Sequence, residues 1–335
     1  MLNGHGDDLH LVEGKIKHNF SSNVYYKGCP KPLLDEISRN VTKIESYPSP
    51  IANELNELAA KKFQLHSNQF LFTNGATEAF YLIAQLFSAK KAAIIAPTFS
   101  EYEDACKIFK LEYELISSDG IKNTNADLLF ICNPNNPTGR IFSKKELELL
   151  FKQKPTTTFV IDEAYIEFTN NLTSITELTS TYNNLIVVRS LTKTFTIPGL
   201  RLGYIVTNSK NITALLQLKM PWSVNLLAIK AGEFIFNNYE ALQFNASLLL
   251  EETTTFKKEL AQLKGIKVCE SNTSYFLVEL LHASAKELKE YLIEKHQILI
   301  RDATNFNNLE GEFIRLSTQS KEANHTLITA LKAWI

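Results

Sequence analysis

RSLTKTFTIPGLRLGY, Arg189 to Tyr204, carries one lysine among hydroxyls and an arginine eight residues further on. The apolar run NLIVVRS (184–190) leads into it and GYIVT (203–207) leads out. Continuous runs rich in β-branched residues suit strands buried on both faces of a largely parallel sheet. Lys193 and Arg201 therefore belong to a connection between buried strands, where ligands gather in open α/β folds. An ammonium that is partly buried beside a guanidinium is disfavoured, so its pKa falls and the amine is exposed as a nucleophile. A single lysine is ordinarily a solvated loop residue; it is the company of this one that argues otherwise.

Outward from that stretch the same texture repeats. AAIIAP (92–97), DLLFICNP (127–134) and TFVIDEA (158–164) are further strand-like runs. Amphipathic stretches lie among them: ATEAFYLIAQLFSAK, SEYEDACKIFK and SKKELELLFKQ. The alternation predicts an α/β fold, a mostly parallel central sheet flanked by helices. From about residue 230 the texture changes. One long helical stretch leads into GIKVCESNTSYFLVEL, a helix, ILIRDAT, EFIRLST and a last helix, which reads as a smaller α+β domain. The expected division is an irregular N-terminal segment (1–43) packing with the small domain, a large domain (44–230) and a small C-terminal domain (231–335).

Bulk properties narrow the function classes. The chain has 335 residues, 44% hydrophobic and 21% charged, with a formal net charge of -1. That is globular composition without the clustered Lys/Arg on which nucleic-acid affinity rests. No apolar segment approaches the roughly 20 residues that span a bilayer. The polar, acidic start MLNGHGDDLHLVEGK is unlike a secretion signal. Cys29, Cys106, Cys132 and Cys269 lie far apart with no C-x-x-C pair, as expected of reduced thiols in a cytoplasmic protein. The seven histidines lack metal-ligand spacing, so no metal site is expected.

Four further motifs carry chemistry. TNGATEAF (73–80) sets Gly75, Ala76 and Thr77 at a helix start, where free N–H groups favour an anion. Every helix has such an end, so this alone decides little. NPNNPTG (133–139) is either a stiff turn or a strand-end loop from which Asn136 donates to a ligand oxygen. VIDEAYIEF (160–168) ends a strand with Asp162 and Glu163, followed by Tyr165; an acidic strand end could equally cap a helix or hold Mg²⁺. Arg301 and Arg315 sit near strand ends of the second domain, suited to capturing carboxylate and phosphate. A carboxylate, a phenol, a lysine among hydroxyls and an arginine, all just after strands, form the set a pyridine cofactor needs.

In order and spacing, NGATE, NPNNPTG, DEAY and SLTK followed by GLRLGY resemble the fold-type I pyridoxal-phosphate enzymes of the class I/II aminotransferase group, over nearly the whole chain. The resemblance implies pyridoxal 5'-phosphate attached at Lys193, with Asp162 on the ring nitrogen and Asn136 and Tyr165 on the ring hydroxyl oxygen. It implies a phosphate held by Gly75, Ala76, Thr77, Ser190 and Arg201, and Phe99 stacked on the ring. Arg315 would hold the substrate carboxylate, with Arg301, His5 and Asn23 also facing the substrate. It further implies a homodimer with shared sites, in which Tyr47 reaches the phosphate of the partner's cofactor. Two branches are near. SLTK with IPGLRLGY, NFSSN (19–23) and ILIRDATNF look like the threonine-phosphate decarboxylase branch. That implies decarboxylation of L-threonine O-3-phosphate to (R)-1-amino-2-propanol O-2-phosphate in cobalamin biosynthesis. The alternative is a histidinol-phosphate or related aminotransferase. Departures from the decarboxylase pattern lie at His5-Gly6-Asp7-Asp8, at NVYYKGCP and in FIRLSTQ.

Overall fold

The computed structural model describes residues 15–334 together with Leu9 and Val12; His5 lies outside the described residues. The first strands in chain order are β1 (His18–Asn19), β2 (Phe70–Thr73), β3 (Lys91–Ile95), β4 (Glu112–Ile116), β5 (Leu128–Cys132), β6 (Thr158–Asp162), β7 (Leu185–Ser190) and β8 (Gly203–Val206). They are followed by β9 (Ile266–Val268), β10 (Tyr275–Leu280), β11 (Ile298–Leu299), β12 (Arg301–Asp302) and β13 (Phe313–Ser317).

Seven strands make the large sheet, in the order β2-β8-β7-β6-β5-β3-β4. β8 runs antiparallel to its neighbours β7 and β2, and the other pairs are parallel. Alternate side chains feed two cores, as the pleat requires. Leu129, Ile131, Phe159, Ile161 and Val187 pack on one side. Leu128, Phe130, Val160, Ile186 and Val188 pack on the other. Both faces are covered, which is why these strands read as unbroken apolar runs. β2 and β4 escape that pattern: β2 has only four residues, and β4 is an edge strand with partly exposed positions along its length.

The C-terminal sheet is smaller and antiparallel, in the order β12-β13-β10-β9. Its core joins Phe276, Leu292, Leu316 and Leu327 to Phe20, and β1 pairs in parallel with β11. Two expectations need correcting. Within the segment expected to be irregular, Lys31–Arg39 form a helix that buries Leu33 in the core of the large sheet and lies against the helix Leu226–Asn237. Pro32 near its start has the fixed φ that favours a first turn. The long helical stretch is divided into Leu226–Asn237, Tyr239–Leu242 and Ala246–Leu260. Asn225 and Asn245 each accept a backbone N–H three residues on, so these asparagines start new helices rather than continue one. Among the described residues no helix is long and apolar enough to cross a membrane.

Candidate active site

Strand register assembles the site. Cys132 of β5 lies opposite Asp162 of β6, and Asp162 lies opposite Val188 of β7, two residues before Ser190. The carboxyl ends of three parallel strands therefore open on one cavity of about 380 Å³. Its walls bring together Ala76, Thr77, Phe99, Asn136, Asp162, Tyr165, Ser190, Lys193 and Arg201 of the sheet region. Arg301 and Arg315 come from the small sheet, and Asn23 from the N-terminal segment. Tyr47 is elsewhere: it is 88% exposed and packs on Trp222, with ring centroids 5.5 Å apart.

One end of the cavity is an anion cradle. The helix Gly75–Leu86 starts directly after β2, and Asn74 makes no side-chain cap bond to it. The first-turn N–H groups of Ala76 and Thr77 thus face the cavity with the helix dipole behind them. The Arg201 guanidinium lies across Gly75, so closely that a Cβ there would sit 2.4 Å from Nη2. Gly203 is as tightly placed, since its Cβ would meet the Ala76 nitrogen at 2.6 Å. Ser190 and Thr192 add hydroxyls 2.8 Å apart. Burial holds Arg201 below its ordinary pKa, so an anion beside it regains solvation energy that the guanidinium has lost.

The floor is Asp162, fully enclosed at the end of β6. Tyr102 donates to Oδ2 at 2.5 Å and the Ala164 N–H to Oδ1 at 2.8 Å, with the Cys132 thiol 3.9 Å away. Burial pushes its carboxyl up to about 6, opposed by the Tyr102 and Ala164 hydrogen bonds and by the charge of Lys193. Lys193 is half-buried in the connection after β7. Burial also raises the Tyr165 phenol to about 12, with Arg315 pulling the other way.

The three asparagines of NPNNPTG take different positions. Asn133 exchanges two hydrogen bonds with the Phe142 backbone, and Asn135 accepts from Thr98 and donates to the Pro97 carbonyl. Those two shape the turn, while Asn136 reaches the cavity and accepts from Arg315. Arg315 also donates to the Ser21 carbonyl at 2.5 Å. Arg301 stands directly across the ladder from Arg315, donates to Asn305 Oδ1 at 2.7 Å and lies over the Phe306 ring. Two buried guanidiniums at facing ladder positions concentrate positive charge on this side of the cavity.

Glu163, one residue past Asp162, turns away from the cavity. It accepts from Ser174 at 2.6 Å and from the Ile175 N–H at 2.8 Å, and Arg189 approaches at 3.4 Å. Arg189 also pairs with Glu167, which accepts from Thr194 next to Lys193. Sequence reading missed the wall residues Ser21, Ser22, Glu101 and Glu103, and missed Tyr102 behind the wall. For Tyr102 the signal was present: it falls three residues after Phe99, a spacing that keeps both on one side of the turn entering the helix Glu101–Ile108.

Comparison with known proteins identifies the family and the fold. The family model described as aminotransferase class I and II matches residues 15–331. The threonine-phosphate decarboxylase of Salmonella typhimurium is 30% identical over 331 residues, covering 94% of this chain and 90% of that protein. The histidinol-phosphate aminotransferase of a Thermoanaerobacter species is 31% identical over 324 residues, covering 90% of each. Among solved structures, the L-threonine-O-3-phosphate decarboxylase of Porphyromonas gingivalis superposes with a TM-score of 0.91 at 36% identity, over 95% of this chain and 99% of that one. The chain belongs to the class I and II aminotransferase family of pyridoxal-phosphate-dependent enzymes.

Proposed function

We propose that the enzyme decarboxylates L-threonine O-3-phosphate to (R)-1-amino-2-propanol O-2-phosphate, a step of cobalamin assembly. The observation that carries this reading is the facing pair Arg301 and Arg315 in the cavity that also holds Lys193. Two guanidiniums suit a substrate with two anionic groups, a carboxylate and a phosphate, because each fork binds one of them. The IPGLRLGY and ILIRDATNF stretches and the likeness to the Porphyromonas decarboxylase support the choice of branch.

The residues present fit pyridoxal phosphate. The Gly75 cradle, with Ala76, Thr77, Ser190 and Arg201, suits the phosphate, since the absence of a side chain at Gly75 lets the Arg201 guanidinium lie against the helix start. Asp162 suits the ring nitrogen, Asn136 and Tyr165 the ring hydroxyl, and Phe99 the ring face. When bound, the cofactor supplies an electron sink for the bond that breaks at the substrate Cα. Every other task falls to the chain. Lys193 provides the amine for attachment and then carries a proton to or from Cα. Asp162 holds a proton at the ring nitrogen. Arg315 orients the substrate carboxylate, and Arg301, with Asn23 on the same cavity, takes the substrate phosphate. The pose in which Arg315 and Arg301 hold the substrate would choose between loss of CO₂ and loss of a proton. Orientation of that order is worth several powers of ten in rate.

A homodimer completes this reading. Tyr47 and Trp222 stand with exposed Ile44 and Met220 on an apolar surface that a second subunit would cover, bringing Tyr47 to the partner's cofactor. Histidinol-phosphate aminotransfer is the second reading, favoured by relatives of equal identity. With L-threonine O-3-phosphate the holoenzyme is expected to release CO₂ without consuming a keto acid. Oxoglutarate-dependent turnover of histidinol phosphate would instead assign it to the aminotransferase branch.

A further inference from the structure

Tyr102 is wholly buried in the helix Glu101–Ile108, yet its hydroxyl meets a carboxylate on the cavity floor. Its ring cannot swing. It stacks on Phe130 at 5.2 Å and 11°, and Phe80 abuts it edge-on at 4.8 Å and 90°. Phe99 on the cavity wall packs against its other edge at 5.8 Å. The O–H is thus delivered to Asp162 Oδ2 by a rigid aromatic stack, while the Ala164 N–H takes Oδ1.

We propose that Tyr102 is a positioning residue for the cofactor ring: its hydroxyl pins the Asp162 carboxylate in the ionised, cavity-facing pose that pairs with a protonated ring nitrogen. This rests on the assignment of Asp162 proposed above. The groups bearing on Asp162 are few: the Tyr102 hydroxyl, the Ala164 N–H, the Cys132 thiol, the Lys193 charge and, more weakly, the Tyr165 phenol. Burial favours the neutral acid, and a neutral acid is a poor partner for a pyridinium. Of the influences opposing burial, the Tyr102 hydrogen bond is the largest. The phenol itself, held well above its ordinary pKa by burial and by Asp162, stays a donor. The Cys132 thiol, which burial also keeps protonated, stands 3.9 Å from Oδ2 and is the weaker donor.

The test compares two ligands on the apoenzyme: pyridoxal 5'-phosphate and its analogue with C–H in place of the ring nitrogen. Both use the same phosphate cradle, but only the first presents a nitrogen to Asp162. Wild type is expected to prefer pyridoxal phosphate. Tyr102→Phe should weaken that ligand about 10-fold or more, the scale of a hydrogen bond to a charged group, and leave the analogue unchanged. Equal weakening of both ligands would make Tyr102 merely structural and overturn the inference, as would a preference undiminished in Tyr102→Phe. A wild type with no preference would overturn the Asp162 assignment itself, and this inference with it. If the Phe variant does not fold, 2,3-difluorotyrosine at position 102 supplies a stronger donor of nearly the same shape. It should widen the preference for pyridoxal phosphate, and an unchanged or narrowed preference would contradict the proposal.

Discussion

Asp162 and Glu163 are chain neighbours at the end of β6, both buried, and burial pushes their carboxyls up to about 6 and about 7. Their surroundings differ. Glu163 faces a closed network in which Arg189 supplies the countercharge, Ser174 and Ile175 supply donors, and Glu167 and Tyr239 complete the ring of contacts. Asp162 faces a cavity, with the charge of Lys193 acting against its burial. A charge that is matched within the fold contributes to holding the sheet together. One that borders a cavity waits for a partner from outside. Arg189 lies on the closed side with Glu163 and Glu167, while Arg301 and Arg315, ladder partners on β12 and β13, line the cavity.

The contrast can be broken from the open side first. Lys193→Ala should reduce turnover by about 10³-fold or more, since it removes both the attachment amine and the proton carrier. Its urea midpoint as apoprotein should barely move. Breaking the closed side should do the reverse. Arg189→Met leaves the buried Glu163 and the half-buried Glu167 without that cation, a loss of about 3–5 kcal/mol, read as an earlier urea transition with the cofactor absent.

pH sharpens the comparison. The Asp162 carboxyl titrates near 6 in the folded chain against an ordinary value of 3.8, so between those values the folded state binds more protons than the unfolded one. Apoprotein stability should therefore be greatest below that window and fall as pH rises through it, by roughly 3 kcal/mol from this group. Asp162→Asn should flatten that part of the curve, measured by urea denaturation at a series of pH values. The smallest effect is expected at the cradle. Gly75→Ala adds a Cβ at a φ of +75° and displaces the Arg201 guanidinium, so cofactor affinity should drop about 10-fold. Titration of the apoenzyme with pyridoxal phosphate measures it.

Much of this was legible in the sequence because buried parallel strands leave continuous apolar runs and their ends carry the chemistry. β5 to β8, Asp162, Lys193 and Arg201 all came from that signal. Where strands are short or at an edge the signal fades, and β2 and β4 went unread. The helix Lys31–Arg39 was hidden because its partner, Leu226–Asn237, lies far along the chain. Tyr102 looked like an ordinary helix residue until β6 brought Asp162 to it, sixty positions away. The separate fates of Asn133, Asn135 and Asn136 could not be told from composition either, since all three are turn residues by type.

The central claim is that the connection after β7 delivers its lysine to a cofactor held over Asp162. Borohydride reduction of the holoenzyme, followed by proteolysis and peptide mass mapping, tests it most directly. The account predicts a phosphopyridoxyl adduct on Lys193 alone. An adduct on another lysine, or an unmodified Lys193 in protein that has retained its cofactor, would contradict it.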